Sequence, residues 1–159
     1  MADEKLVALL KRSVTAWNNS RASRFSSMGE TDLSGADLKW ADLKHANLAG
    51  VDLTGADLTG ANLAEANLAE ADLSGADLSG ADLRSANFTE ANLTQANLSG
   101  ADLRQADLTG AECAQAILEK ADLMGAHLTG AHLMGAHLTG AIFSTEDLVK
   151  ARGAKPKSR

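Results

Sequence analysis

The chain of 159 residues has no tyrosine, one proline, one cysteine, three phenylalanines and two tryptophans. A globular core usually mixes aromatic and branched side chains of several sizes, so this scarcity argues against an ordinary α/β enzyme and for a small packing unit used repeatedly. A lone Cys113 excludes an intramolecular disulfide framework and a multi-cysteine zinc site within one chain. Long apolar runs are missing too. The opening MADEKLVALLKRS carries acid where an export signal needs base, and its LVALL is too short to span a membrane. The expectation is a soluble, cytoplasmic protein. Base is the scarcer charge, with 15 Lys and Arg against 21 Asp and Glu. That balance disfavours direct nucleic-acid binding, which needs a basic footprint.

What is present is alanine and leucine, 31 and 24 of them. From Thr31 to Thr145 the chain divides into 23 consecutive quintets without an insertion, with consensus Ala, Asp/Asn, Leu, any, Gly-rich. The third position is Leu except for Phe88, Cys113 and Phe143, and the first is Ala except for Thr31 and Val51. On a straight α-helix a five-residue step rotates each Leu by roughly 140° and smears the set over every face. On a straight strand the odd step sends successive Leu to opposite sides. The chain must therefore turn once per quintet, so that Ala and Leu face inward and the residue between them faces out.

Twelve of the fourteen glycines hold the fifth position, as expected for corners at positive φ. Asp or Asn at the second position lies outside the core, where its short side chain can bond nearby backbone. Ser and Thr dominate the fourth position, as on a solvated β surface.

These residues resemble the pentapeptide repeat family, whose pattern A-[DN]-L-x-x is read directly in ADLSGADLSGADLRSANFTEANLTQANLSGADL, Ala71 to Leu103. Cyanobacterial-type members are the most similar in having a compact, uninterrupted array behind a short N-terminal helix, here carrying Trp17 and Asn18. The resemblance implies an all-β solenoid, a right-handed quadrilateral β-helix with four quintets per coil. Twenty-three quintets then make 5.75 coils, a column roughly 27 Å tall at a β-spacing of about 4.8 Å.

A 20-residue vertical period follows, and the surface can be read by face. Asp32, Asp52 and Asp72 stack on the first face, and Asp37, Asp57 and Asp77 on the second. The third carries Asp42, Asn62, Asp82, Asp102 and Asp122, with Lys44, Arg84 and Arg104 two residues beyond three of them. Asn47, Asn67, Asn87 and Asp107 make the fourth.

A stack of coils needs covers for its open ends. Leu6, Leu10, Val14 and Trp17 fall at helical spacing, so one amphipathic helix from about Asp3 to Trp17 is expected within an N-terminal cap and connector, residues 1–30. Ser144 followed by Asp147 reads as the N-cap of a second capping helix over 146–153, stopped by Gly153, before a basic, disordered tail at 154–159. Residues 31–145 hold 16 acidic and 5 basic side chains, a balance of −11, offset by +2 before them and +3 after. Unpaired carboxylates about 4.8 Å apart repel by roughly 0.9 kcal/mol in water before screening, so moderate salt is expected to raise the thermal midpoint.

Catalysis is not expected, because each Asp repeats the same environment and a convex column has no concave pocket. No cofactor is expected. His127, His132 and His137 replace Asp/Asn in three successive quintets, and so point in three directions. They are read as solvated substitutions, with a metal site or a pH-sensitive surface as the alternatives. Cys113 in a Leu slot reads as a buried, inert thiol, and Trp40 as packing beneath the N-terminal cap with Trp17, Phe25 or Met28. Ile117, Met124, Met134 and Ile142 are apolar at outward positions and, with Leu148, mark a C-terminal interface, either for the terminal helix or for a homodimer.

The function expected is a non-enzymatic scaffold presenting a rigid acidic surface, led by the six Asp of the first two faces, to a protein partner. The resemblance also implies a DNA mimic, since some family members look like DNA in size and charge and bind type II topoisomerases such as gyrase. A metal or small-ligand binder is the third option.

Overall fold

The computed structural model describes residues 2–23 and 31–151. Three helices are present among them: α1 (Glu4–Arg12), α2 (Val14–Ser23) and α3 (Thr145–Val149). Between α2 and α3 the chain repeats one motif. The second residue of each quintet forms a single parallel bridge to the residue 20 positions on, from Asp32↔Asp52 to Asp122↔Ile142. Four quintets thus close one coil, and each coil lies on the last in register.

Each side is too short for a conventional strand, because the turn begins two residues after the bridge. The N–H of each first-position residue donates to the carbonyl of the third-position residue three before it, as Ala56 does to Leu53 at 2.9 Å. That closes a β-turn whose third residue lies at positive φ. Twelve corners use Gly, but ten use other residues, among them Trp40, Glu65, Glu90 and Lys120, at φ between 55° and 61°. The stacked ladder on both sides of each corner holds these residues in a conformation that L side chains adopt at a cost of roughly 1 kcal/mol.

Three backbone hydrogen bonds per quintet carry the stacking, one of them from the fifth-position N–H to the fourth-position carbonyl one coil up, as in Gly60 to Ser79 O at 2.9 Å. The third-position N–H donates up the column, as in Leu58 to Asp77 O at 2.7 Å, and the second-position N–H donates down, as in Asp57 to Ala36 O at 2.9 Å. Inside, the Leu of coils one to four are fully buried, with Phe88 and Cys113 in the same slots. The core is a stack of Leu layers flanked by Ala, and no polar residue is buried within it among the described residues.

The N-terminal segment forms two helices rather than the single one expected. Ser13 breaks it, with φ −162° and ψ 106°, and its Oγ accepts the N–H of Ala16 at 3.1 Å, so it caps the start of α2. The expected core residues hold: Leu10 and Trp17 are buried, and Leu6 and Val14 are partly covered. At the other end α3 starts at Thr145, with Ser144 Oγ accepting the N–H of Asp147 at 3.2 Å. Gly153 and the tail at 154–159 lie outside the described residues, as does most of the connector, 24–30.

Candidate interaction surface

The second-position side chain does more than face solvent. Its Oδ1 accepts the N–H two residues on, as Asp52 does from Thr54 and Asp72 from Ser74, both at 2.9 Å. One carboxylate oxygen is thereby fixed to the turn, which sets the direction of the other. Where a fourth-position hydroxyl is in reach it donates to the same oxygen, as Ser34 does to Asp32 at 2.6 Å and Thr59 to Asp57 at 2.7 Å. These donors hold Asp32 down to about 2, chiefly through the Ser34 hydroxyl and then its N–H. Asp57 lies below its ordinary range for the same reason, the Thr59 hydroxyl first and Lys39 after it.

The Asp columns are not the unpaired stacks expected from the sequence. On the third face Arg84 donates Nε and Nη2 to both oxygens of Asp82, at 2.8 and 2.6 Å, and Arg104 does the same to Asp102, at 2.8 and 2.5 Å. Each Arg also lies 3.8 Å from the carboxylate one coil up, Asp102 or Asp122. Asp82 and Asp102 are held low by these guanidinium groups. Elsewhere an Asn above an Asp replaces repulsion by a hydrogen bond: Asn62 to Asp42 at 2.9 Å, Asn92 to Asp72 at 3.1 Å, Asn97 to Asp77 at 3.2 Å. Twenty-residue register alone could not show this, because the Arg reaches back two residues within its own turn.

The faces consequently differ. Asp32, Asp52 and Asp72 stack on the first face, and Asp37, Asp57 and Asp77 on the second. Lys39 lies 3.0 Å from Asp57 on the second face. On the third face the cations stand outermost: the side chains of Arg84 and Arg104 are 52% and 49% exposed, above carboxylates at 31% and 29%. Lys44, Glu65, Arg84, Ser85, Arg104 and Gln105 line a shallow groove of about 480 Å³ there, ending at Met124.

His127, His132 and His137 bridge to Asp107, Glu112 and Ile117 on three separate faces, so the structure does not bring them together. His132 Nδ1 lies 2.9 Å from Glu112. Among the described residues no cluster of His, Cys, Asp or Glu could hold a metal ion. Cys113 is buried, and burial pushes its thiol up to about 12, so it carries no thiolate at neutral pH.

Trp40 is not under the N-terminal helices. It is 75% exposed, and its ring lies over Gly60, where a Cβ would collide with it. Its corner projects the side chain up the column, onto the residue one coil above, rather than toward α2. Phe25 and Met28 lie outside the described residues.

Sequence reasoning missed what Asn18 and Arg21 do. Trp17 Nε1 donates to Asn47 O at 2.8 Å, and Asn18 Oδ1 accepts the Asn47 N–H at 2.8 Å. Asn18 Nδ2 donates to His45 O at 3.0 Å, and Arg21 donates to Ala49 O. The bonds to Asn47 and Ala49 are those that a preceding coil would make, and the one to His45 O is additional. A polar pair next to an apolar helix residue is the only signal the sequence offers for this.

Of the C-terminal apolar set, Met124, Met134 and Ile142 are exposed and Ile117 is half-buried. Leu148 is buried, packing the terminal helix into the core, and Val149 beside it is 83% exposed.

The pentapeptide repeats profile matches residues 31–68, 46–84, 66–105, 86–123 and 106–144. No curated protein matches the sequence. Among solved structures, the chain is similar to the pentapeptide repeat protein Rfr23 of the cyanobacterium Cyanothece 51142, with 36% identity, 61% of this chain, 63% of that chain and a TM-score of 0.48. It thus spans less than two thirds of Rfr23. HetL of Nostoc sp. PCC 7120, described as involved in heterocyst differentiation regulation, is 38% identical over 73% of this chain and 71% of its own, with a TM-score of 0.36. The Nostoc protein alr5209 is 36% identical over 70% and 81%, with a TM-score of 0.44.

Proposed function

The chain belongs to the pentapeptide repeat family, and we propose that it is a non-catalytic scaffold offering the acidic first and second faces to a basic surface on a protein partner. Proteins of this family fold as right-handed quadrilateral β-helices. We assign that hand to this column, and the role of caps to its terminal helices. The observation that carries the proposal is the contrast between faces. Among the described residues Lys39 is the one side-chain cation within salt-bridge distance of Asp37, Asp52, Asp57, Asp72 or Asp77, whereas Asp82 and Asp102 of the third face lie under Arg84 and Arg104. The carboxylates are fixed by their own turns and the backbone by its ladder, so little conformational entropy is lost on binding. Complementary charge would chiefly speed encounter and set orientation.

The test is affinity capture from the native source with the wild-type column and with Asp32→Asn, Asp52→Asn and Asp72→Asn combined. A partner lost in the variant, and released by moderate salt, supports the proposal. An identical set of partners on both proteins refutes it. A DNA-mimic reading draws on the same −11 balance over residues 31–145. It predicts that the protein alters gyrase supercoiling, and a gyrase assay decides it. No helix among the described residues is long and apolar enough to cross a membrane.

A further inference from the structure

Trp40 is out of keeping with its position. Of the ten corners that carry a side chain at positive φ, the other nine hold polar or charged residues, from His45 to Lys120. The ring is nonetheless firmly placed. The Trp40 backbone N–H donates to Thr59 O at 3.0 Å, which ties the corner into the ladder, and the benzo edge fills the space where Gly60 lacks a side chain. Most of the residue still faces solvent. A side chain already ordered in this way loses little freedom when something lands on it.

The surroundings are acidic rather than apolar. Among the described residues the other exposed large apolar side chains, Met124, Met134, Ile142 and Val149, all lie beyond Ala121, so no apolar patch extends from the ring. Asp37 and Asp42 stand on the two faces that meet at this corner, in the same coil as Trp40, and both are exposed. Each has its Oδ1 tied to its own turn, by the N–H of Lys39 at 3.2 Å and of Lys44 at 3.4 Å. Lys39 lies against Asp57 and Lys44 against Glu65, and among the described residues no lysine or arginine comes within salt-bridge distance of Asp37 or Asp42. Higher up the same corner, Gly80 and Gly100 have open space where a side chain would stand, which leaves the approach to the ring clear.

We propose that Trp40 anchors an arginine of the protein partner, whose guanidinium stacks on the free indole surface while its N–H groups reach Asp37 or Asp42. This rests on the reading of the second face as a docking surface for a basic partner, and names the residue type that the surface selects. Indole is the best aromatic acceptor for a cation. Arginine fits better than lysine, because a planar guanidinium can lay its face on a ring and still donate in its own plane to a carboxylate, whereas an ammonium is a compact point charge. An apolar side chain is disfavoured, since it would strip water from the flanking carboxylates without replacing it. Trp and Arg are also both enriched among the residues that dominate interface energies.

Nona-arginine and nona-lysine, titrated at low salt into the full chain, test this. The chain has two tryptophans, so NMR follows two indole N–H signals, that of Trp40 and that of Trp17, which is bonded to Asn47 O. Both peptides are expected to bind and to be released by salt, and nona-arginine to move the Trp40 signal while that of Trp17 stays in place. Trp40→Leu keeps an apolar side chain at the exposed corner and is expected to weaken nona-arginine about two- to five-fold, with the nona-lysine affinity unchanged. Trp40→Phe, which keeps a π face, recovers part of the loss. If the arginine-to-lysine affinity ratio is the same in Trp40→Leu as in the wild type, or nona-arginine leaves the Trp40 signal where it was, the anchor is overturned and the acidic-face reading stands. If neither peptide binds, both are overturned.

Discussion

The two ends of the column solve the same problem differently. A stack of coils exposes a ring of ladder groups above and below. At the N-terminal end α2 supplies an indole N–H, a carboxamide and a guanidinium at the places where a lower coil would have put backbone. At the C-terminal end a five-residue helix buries Leu148, and among the described residues the segment that follows it meets one ladder N–H, at Gly130. The comparison teaches that termination of a solenoid is a matter of hydrogen-bond surrogates as much as of apolar cover.

The largest expected effect comes from the middle, which neither end can rescue. Leu78→Lys places a charge between Leu layers and should abolish the cooperative melt, whereas Ser79→Lys on the surface should shift it little. Equal tolerance of the two would mean that inside and outside are misassigned. Next, Trp17→Ala should cost about 3–5 kcal/mol and Leu148→Ala about 2 kcal/mol, so that chemical denaturation ranks the N-terminal cover as the more costly to lose. The reverse ranking would erase the distinction between the ends. Asn18→Ala leaves the Asn47 N–H and the His45 carbonyl without partners and should cost about 1–3 kcal/mol. In amide exchange the Asn47 N–H should open first, ahead of its counterparts in higher coils.

The smallest effect is on acid stability. Asp32, Asp57, Asp82 and Asp102 are held below the ordinary carboxylate range in the folded chain. Their contribution is complete above about pH 4, the unfolded value, and is lost as pH falls below it through the folded values, which for Asp32 is about 2. The thermal midpoint should therefore drop between about pH 4 and pH 2, and Arg84→Met should shrink the part of that drop due to Asp82. A midpoint flat across this window would show that the turn and guanidinium bonds do not favour the ionised form.

Most of the column was legible because a five-residue period is incompatible with a straight helix or strand, which leaves one regular solution for the Leu. Bridges joining residues 20 apart, Leu slots that include Cys113 and Phe88, and the separation of the three histidines onto different faces all follow from that arithmetic. Legibility ends where rotamers decide. Trp40 reads as apolar and so as covered, but a left-handed corner throws its ring across Gly60. Arg84 and Arg104 read as lying along an Asp column, yet each doubles back to grip the carboxylate in its own quintet. The break at Ser13 is invisible to an apolar periodicity that continues through it from Leu10 to Val14 and Trp17. Half of the candidate surface, the acidic first and second faces, could be drawn in advance. The neutralised third face could not.

Because each storey touches only the one above and the one below, height is an adjustable property of this architecture. Excising Ala71 to Glu90, one full circuit, would lower the roof by about 4.8 Å while both terminations kept their fit. Cutting out five residues instead would rotate everything above the cut by a quarter turn relative to the foundation. The face on which a given patch appears is thus set by chain length counted modulo 20, and a single lost quintet would move Glu112 from above Asn92 to a different wall.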